Sequence, residues 1–316
     1  IISHTKTMTR TREDGKEEVF SACIEPDDTR YLGGNKSSSV VATKLQGRPR
    51  TGISYDKANE FCTNRGDWIT MIDYLEYCAL QALCYIEYAN FDNQATLNTN
   101  LTSDGFKQGG LGDGVTNLNW EKWTAFNGNN PIVQTYWTAE HNIGNGSTNG
   151  DHYELGNYNA DGSNLNTYPA VYRGILNFFG DIWTFIRDVV IINRNANYNS
   201  VYLLKKGVNY SDITIDNIQD KCYFIGDQTN SNSFITEFDF RFGPYFIPNK
   251  VGTNKKADYN WIRGSNGQDT DKAVRVLLLG GNAANGSAAG SSDFNSSWVR
   301  PVSSANIGFF TTVKLD

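Results

Sequence analysis

A chain of 316 residues can bury a core of its own, and with 13% aromatic and only 20% charged residues it is a folded protein whose surface is largely uncharged Asn, Ser, Thr and Gly. A formal charge of −6 and a pI near 5.2 argue against a partner bound through its phosphates, since nucleic-acid recognition starts from a basic face. The longest apolar runs, around Ile182 and Val274, are broken by charge well short of the roughly 18 residues a membrane-spanning helix requires, so no membrane insertion is expected.

Residues 1–50 carry the densest charge. TRTREDGKEEVFSACI reads as two alternating strands joined at Asp14-Gly15, a hairpin dipeptide, and the region is expected to be a peripheral hairpin or tether. The chain opens IISHTK without Met, as a processed product or a fragment would, and shows no signal-peptide pattern. Its five cysteines, Cys23, Cys62, Cys78, Cys84 and Cys222, form no C-x-x-C pair and are expected to be buried free thiols.

A first helix is predicted from Ser54, which can cap it, with Tyr55, Ala58, Phe61 and Cys62 on one face and Gly66 as the stop. A second is predicted from Thr70 to about Ala89, with Thr70 and Asp73 as a capping box and Leu75, Cys78, Ala79, Ala82, Leu83 and Ile86 as the buried stripe. From about residue 90 to 170 the period is lost in Gly, Asn, Thr and Asp with scattered aromatics, the pattern of a loop-rich insertion. His141 and His152 lie there beside Asp151 and Glu154, at a spacing that matches no metal-ligand motif.

Tyr172 to Asn193 is tightly apolar and should form a turn and one or two strands. Strands are predicted at Tyr198–Leu204 and Cys222–Ile225, with Lys205-Lys206-Gly207 and Gly226-Asp227 as turns. Val274–Leu279 is apolar except for Arg275 and reads as a buried strand, and Ile307–Val313 as another. Between them Asn282–Asn306 is Asn, Ser, Ala and Gly with few large side chains, a length of loop that compact domains reserve for binding.

Four pieces carry a family resemblance. GISYDKANEFCTNRGDWITMIDYLEY (Gly52–Tyr77), YRGILNFFGDIW (Tyr172–Trp183), RVLLLGG (Arg275–Gly281) and NIGFF (Asn306–Phe310) resemble the sulfatase-modifying, formylglycine-generating-enzyme branch of the C-type lectin fold. QGGLGDGVTNLN (Gln108–Asn119) and GGNAANGSAAG through SSANIGFF resemble more closely the variable proteins of diversity-generating retroelements, with Phe310 where that group usually has Arg. The resemblance implies an α+β C-type lectin-like domain over residues 51–316, two helices packed on a mixed or antiparallel sheet, with an insertion at about 90–170 and a variable ligand-binding loop at about 280–306. By position, the varied residues are Asn282, Ala284, Asn285, Ser287, Ala288, Ser292, Asp293, Asn295, Ser297, Trp298, Val302 and Ser304, and Tyr259 and Trp261 are expected beside them as aromatic anchors.

The function so implied is a non-catalytic binding protein of a phage tail or cell surface, needing no cofactor, whose partner is a host-cell surface protein or glycan. Small polar residues would supply adaptable hydrogen bonds and a few aromatics rigid contact, with avidity if the chain is a homotrimer or multiply displayed. Formylglycine generation needs a C-terminal cysteine pair, and no Cys follows Cys222; no G-x-S-x-G hydrolase motif is present either. Glu25-Pro26-Asp27 is misplaced for a calcium-dependent lectin, which leaves calcium-independent carbohydrate binding, or a purely structural virion role, as the alternatives.

Overall fold

The computed structural model describes residues 7–11, 17–21, 52–64, 68–93, 132–134, 155–157, 171–172, 175–176, 178–180, 182–263, 273–282, 285–304 and 306–313. Strands β1 (Thr7–Thr11) and β2 (Glu17–Ser21) pair antiparallel, with Thr11 opposite Glu17, as the hairpin reading requires. Within the expected insertion, the described residues include one short antiparallel pair, β4 (Ile132–Gln134) with β5 (Leu155–Asn157), and a second, β6 (Val171–Tyr172) with β7 (Ile175–Leu176), follows it; His141 and His152 lie outside the described residues.

The body is α+β: one curled, mixed sheet with helices packed on it. In order across the sheet run β10 (Cys222–Thr229), β9 (Tyr198–Leu204), β8 (Trp183–Asn193), β14 (Val274–Leu279), β15 (Phe294–Asn295), β13 (Tyr259–Trp261), β11 (Ser233–Asp239) and β12 (Ile247–Gly252). The short β16 (Ile307–Gly308) adds in parallel to β8. The predicted closing strand is thus two pieces, because β17 (Thr311–Val313) leaves the sheet to pair with β3 (Ile69–Met71).

Strand β14 is central and covered on both faces, which is why its sequence runs apolar without alternation. Leu277 and Leu279 enter one core with Tyr77, Phe178, Phe179 and Phe294, and Val276 and Leu278 enter the other with Ala58, Met71, Phe185 and Ile307. Strand β8 serves the same two cores, but with a break. Leu277 pairs with Ile186 and Val276 with Val190, so three residues, 187–189, are looped out of the ladder. An odd number of extra residues reverses which side chains face which way. Phe185 and Val190 therefore point into one core, and Ile186 and Val189 into the other.

Helix α1 (Tyr55–Thr63) starts where its cap predicts, with the Ser54 hydroxyl accepting from the Lys57 N–H, and ends at Asn64; Gly66 lies outside the described residues. Helix α2 (Tyr74–Tyr88) begins four residues later than the Thr70 reading. Asp73 is its N-cap and forms a capping box with Glu76, while Thr70 belongs to β3. The buried stripe also differs. Tyr74, Tyr77, Cys78, Gln81, Cys84, Tyr85 and Tyr88 face inward; of the predicted stripe Cys78 is buried, and Leu75, Ala79, Leu83 and Ile86 are exposed. Four tyrosines outweigh these aliphatic side chains because each buries more surface per position.

Strand β9 matches its prediction, whereas Gly226-Asp227 is no turn: β10 continues to Thr229, with an irregularity between Phe224 and Gly226. Cys62, Cys78, Cys84 and Cys222 are free and buried. Burial holds the Cys78 and Cys84 thiols up at about 12, far from the thiolate form that reactive cysteines need.

Candidate functional site: the C-terminal loop and the polar lattice beneath it

Strand β14 ends in Gly280 and Gly281, both at positive φ (96° and 73°), which turn the chain sharply out of the sheet. Asn285 closes the first turn, its side-chain oxygen accepting from the Asn282 N–H at 2.7 Å. A single 3-10 turn follows at Gly286–Ala288. The chain then re-enters the sheet as β15, antiparallel to β14 and parallel to β13, with Phe294 fully buried. It runs on along β14, the Val276 N–H donating to the Trp298 carbonyl and the Arg275 guanidinium to the Ser297 carbonyl.

The segment between these anchors is stapled down by side chains. Ser291 donates its backbone N–H and its hydroxyl to the Asn93 side-chain oxygen at 2.7 and 2.5 Å, and its carbonyl accepts from Gln81 Nε2. Ser292 donates twice to Asp258 Oδ2, at 2.9 Å from its N–H and 2.7 Å from its hydroxyl, and that hydroxyl accepts from the Asp258 N–H. Trp261 Nε1 donates to Asp293 Oδ1 at 2.8 Å. Lys255 bridges Asp92 and the Ser287 carbonyl, both at 2.9 Å.

Two carboxyls sit in this lattice with no exposure at all, Asp258 and Asp293. Burial lifts Asp258 to about 7 against the pull of Lys255, and burial together with the charge of Asp258 lifts Asp293 well above the carboxylate range. Asp258 Oδ1 and Asp293 Oδ2 are buried with no hydrogen-bond partner among the described residues, an arrangement that disfavours the charged form of each. Glycine makes room for each. A Cβ on Gly290 would lie 2.1 Å from the Asp258 carboxyl, and one on Gly281 would lie 2.5 Å from Asp293 Oδ2. Sealed in this way, the pair holds the loop in place.

The fourteen positions singled out by sequence therefore divide. Asn282, Ala288, Ser292, Asp293 and Asn295 are buried, so these positions expected to vary face the interior, and a polar side chain that bonds the frame here is part of the frame. Asn285, Ser287, Ser297, Trp298, Val302, Ser304, Tyr259 and Trp261 are half-buried and reach solvent in part, and Ala284 lies outside the described residues. The Tyr259 and Trp261 rings are in contact, centroids 4.4 Å apart and tilted by 39°, and Trp261 and Trp298 both pack on the core that holds Val276. Sequence reasoning missed Gln81, Asn93, Lys255, Asp258 and Ser291. The one available signal was Gln81, a polar residue in the middle of the apolar run ALQALCY.

Among the described residues no group of three or more His, Cys, Asp or Glu side chains could hold a metal ion, and no helix is long and apolar enough to cross a membrane. The chain matches no protein-family model and no curated protein sequence.

Proposed function

We propose that this chain is a non-catalytic binding protein of C-type lectin-like fold, of the diversity-generating-retroelement variable type, which presents the exposed part of its C-terminal loop to a protein or glycan on a host cell, from a phage tail or a cell surface. One observation carries the reading. The four pieces that resemble the family are far apart in sequence yet bonded to one another: Gly180 N–H to the Gly280 carbonyl, Ile72 N–H to the Phe310 carbonyl, and Ile307 beside Trp183 in the ladder. The loop is held on that frame by backbone and buried side chains, so Asn285, Ser287, Ser297, Trp298, Val302 and Ser304 lose little entropy when a partner binds. Tyr259 and Trp261 add rigid aromatic area beside them.

The test is a library randomised at those six positions alone, selected against intact host cells. Variants that fold like the parent and change cell preference support the reading. Cell binding that ignores all six substitutions favours a structural virion role, and binding abolished by chelator favours a calcium lectin.

A further inference from the structure

The lattice under the C-terminal loop holds more carboxyl than its one ammonium can answer. Asp258 and Asp293 have no exposure, and each has one oxygen that accepts a bond and one that accepts none. The groups that act on Asp258 are Tyr77, Cys84 and Tyr85 of α2, Asp92 beyond it, Lys255, and Asp293 of the loop. Asp293 also meets Tyr77, Tyr259 and Lys255. Burial raises the tyrosines and the thiol, Cys84 to about 12, so none of these is charged near neutrality.

That leaves Lys255 as the counter-charge. Its Nζ donates at 2.9 Å to Asp92 Oδ1 and at 2.9 Å to the Ser287 carbonyl, so its charge is already shared with a third carboxylate. Hydration cannot make up the difference while the loop is seated, because Gly290 and Gly281 press so closely on the two carboxyls that even a methyl group would collide with them. Ionisation of the pair therefore favours a state in which the loop has lifted and water reaches the carboxylates. The same side chains are the ones that seat the loop: Ser292 is bonded to Asp258, and Asp293 to Trp261.

We infer that Asp258 and Asp293 form a proton-operated latch, which holds residues 287–293 on the sheet while protonated and loosens them when it ionises. The inference rests on the reading of the loop as a binding face only for its consequence, that the rigidity of that face depends on pH. Because Asp258 titrates at about 7 in the seated state against an ordinary 3.8, the latch is tightest in acid, weakens as pH rises between these values and is loosest above about pH 7.

Amide hydrogen exchange of the full chain from pH 5 to 8.5, corrected for the intrinsic rate at each pH, reads the latch with no partner present, so its failure leaves the binding reading untouched. The Ser292 and Asp293 amides, which donate to Asp258 and to the Gly290 carbonyl, should be less protected than the amides of β8. Their protection should fall by up to about tenfold per pH unit until about pH 7. Asp258→Asn should remove that slope. Lys255→Met deletes the cation that favours ionised Asp258 and should move the end of the fall to higher pH, whereas a merely structural lysine would lower protection equally at every pH. Loop protection that ignores pH, a slope that survives in Asp258→Asn, or loop amides as protected as those of β8 throughout would each overturn the proposal.

Discussion

Two of the polar clusters within the described residues are built from similar materials to opposite ends. Under the C-terminal loop, Asp258 and Asp293 are sealed, with glycines pressed against them, Ser292 donating twice to Asp258 and Trp261 once to Asp293. At the β8 bulge, Asp188 and Arg187 are held as firmly by backbone bonds but open into a cleft. Burial raises the carboxyl in both places. What differs is access: a polar group with no route to solvent can only organise its neighbours, while one on a cleft wall can organise a ligand.

The sealed cluster should break first and hardest. Gly290→Ala drives a methyl group into the Asp258 carboxyl and should cost about 3 kcal/mol or more, read as a large fall in the urea midpoint; a loss under about 1 kcal/mol would mean that the loop yields easily and the seal is loose. Ser292→Ala removes the hydroxyl that donates to Asp258 Oδ2 and accepts from the Asp258 N–H, keeps the backbone donor, and should cost about 1–3 kcal/mol by the same measurement.

The pH dependence follows from the direction of the shift. Asp258 titrates near 7 in the fold against an ordinary value of 3.8, so between those values the unfolded chain has released a proton that the folded chain still holds. Its contribution is fully present below about pH 4, falls as pH rises by at most about 1.4 kcal/mol per pH unit, and is gone above about pH 7. Asp258→Asn should flatten that slope in denaturant titrations from pH 4 to 8. Asp188→Asn should flatten a narrower window, closing near pH 6. The smallest effect is reserved for the exposed part of the loop: Ser297→Ala gives up one bond to Asn295 and should stay within about 0.5 kcal/mol.

How much of this was legible in the sequence depended on whether the signal was local. The cap at Ser54, the hairpin around Asp14-Gly15 and the run Tyr198–Leu204 are decided by neighbouring residues, and they read correctly. Helix α2 was harder because its start has two overlapping caps, Thr70 with Asp73 and Asp73 with Glu76, and only the pairing of β3 with β17 removes Thr70 from the helix. Its buried face departs from the one that the Leu and Ile spacing predicts, because Tyr74, Tyr77, Tyr85 and Tyr88 fill that space. The loop was located correctly by composition. Its division into frame and surface was hidden, because Ser291 and Ser297 are the same residue type in the same polar stretch. What separates them is Asn93 and Gln81, some 200 residues upstream, reaching one and not the other.

The position of β14 bears on how this protein is made. It lies in the middle of the sheet, between β8 and β15, although it is among the last strands in the chain, and Thr312 pairs with Thr70 near the start of the body. A ribosome therefore releases β8 and β9 well before the strand that covers them exists, and neither core can close until residues 274–313 have emerged. An early stop anywhere before Val274 leaves two apolar cores open along one seam, and such a product is a substrate for chaperones and proteases, not a shorter version of the protein.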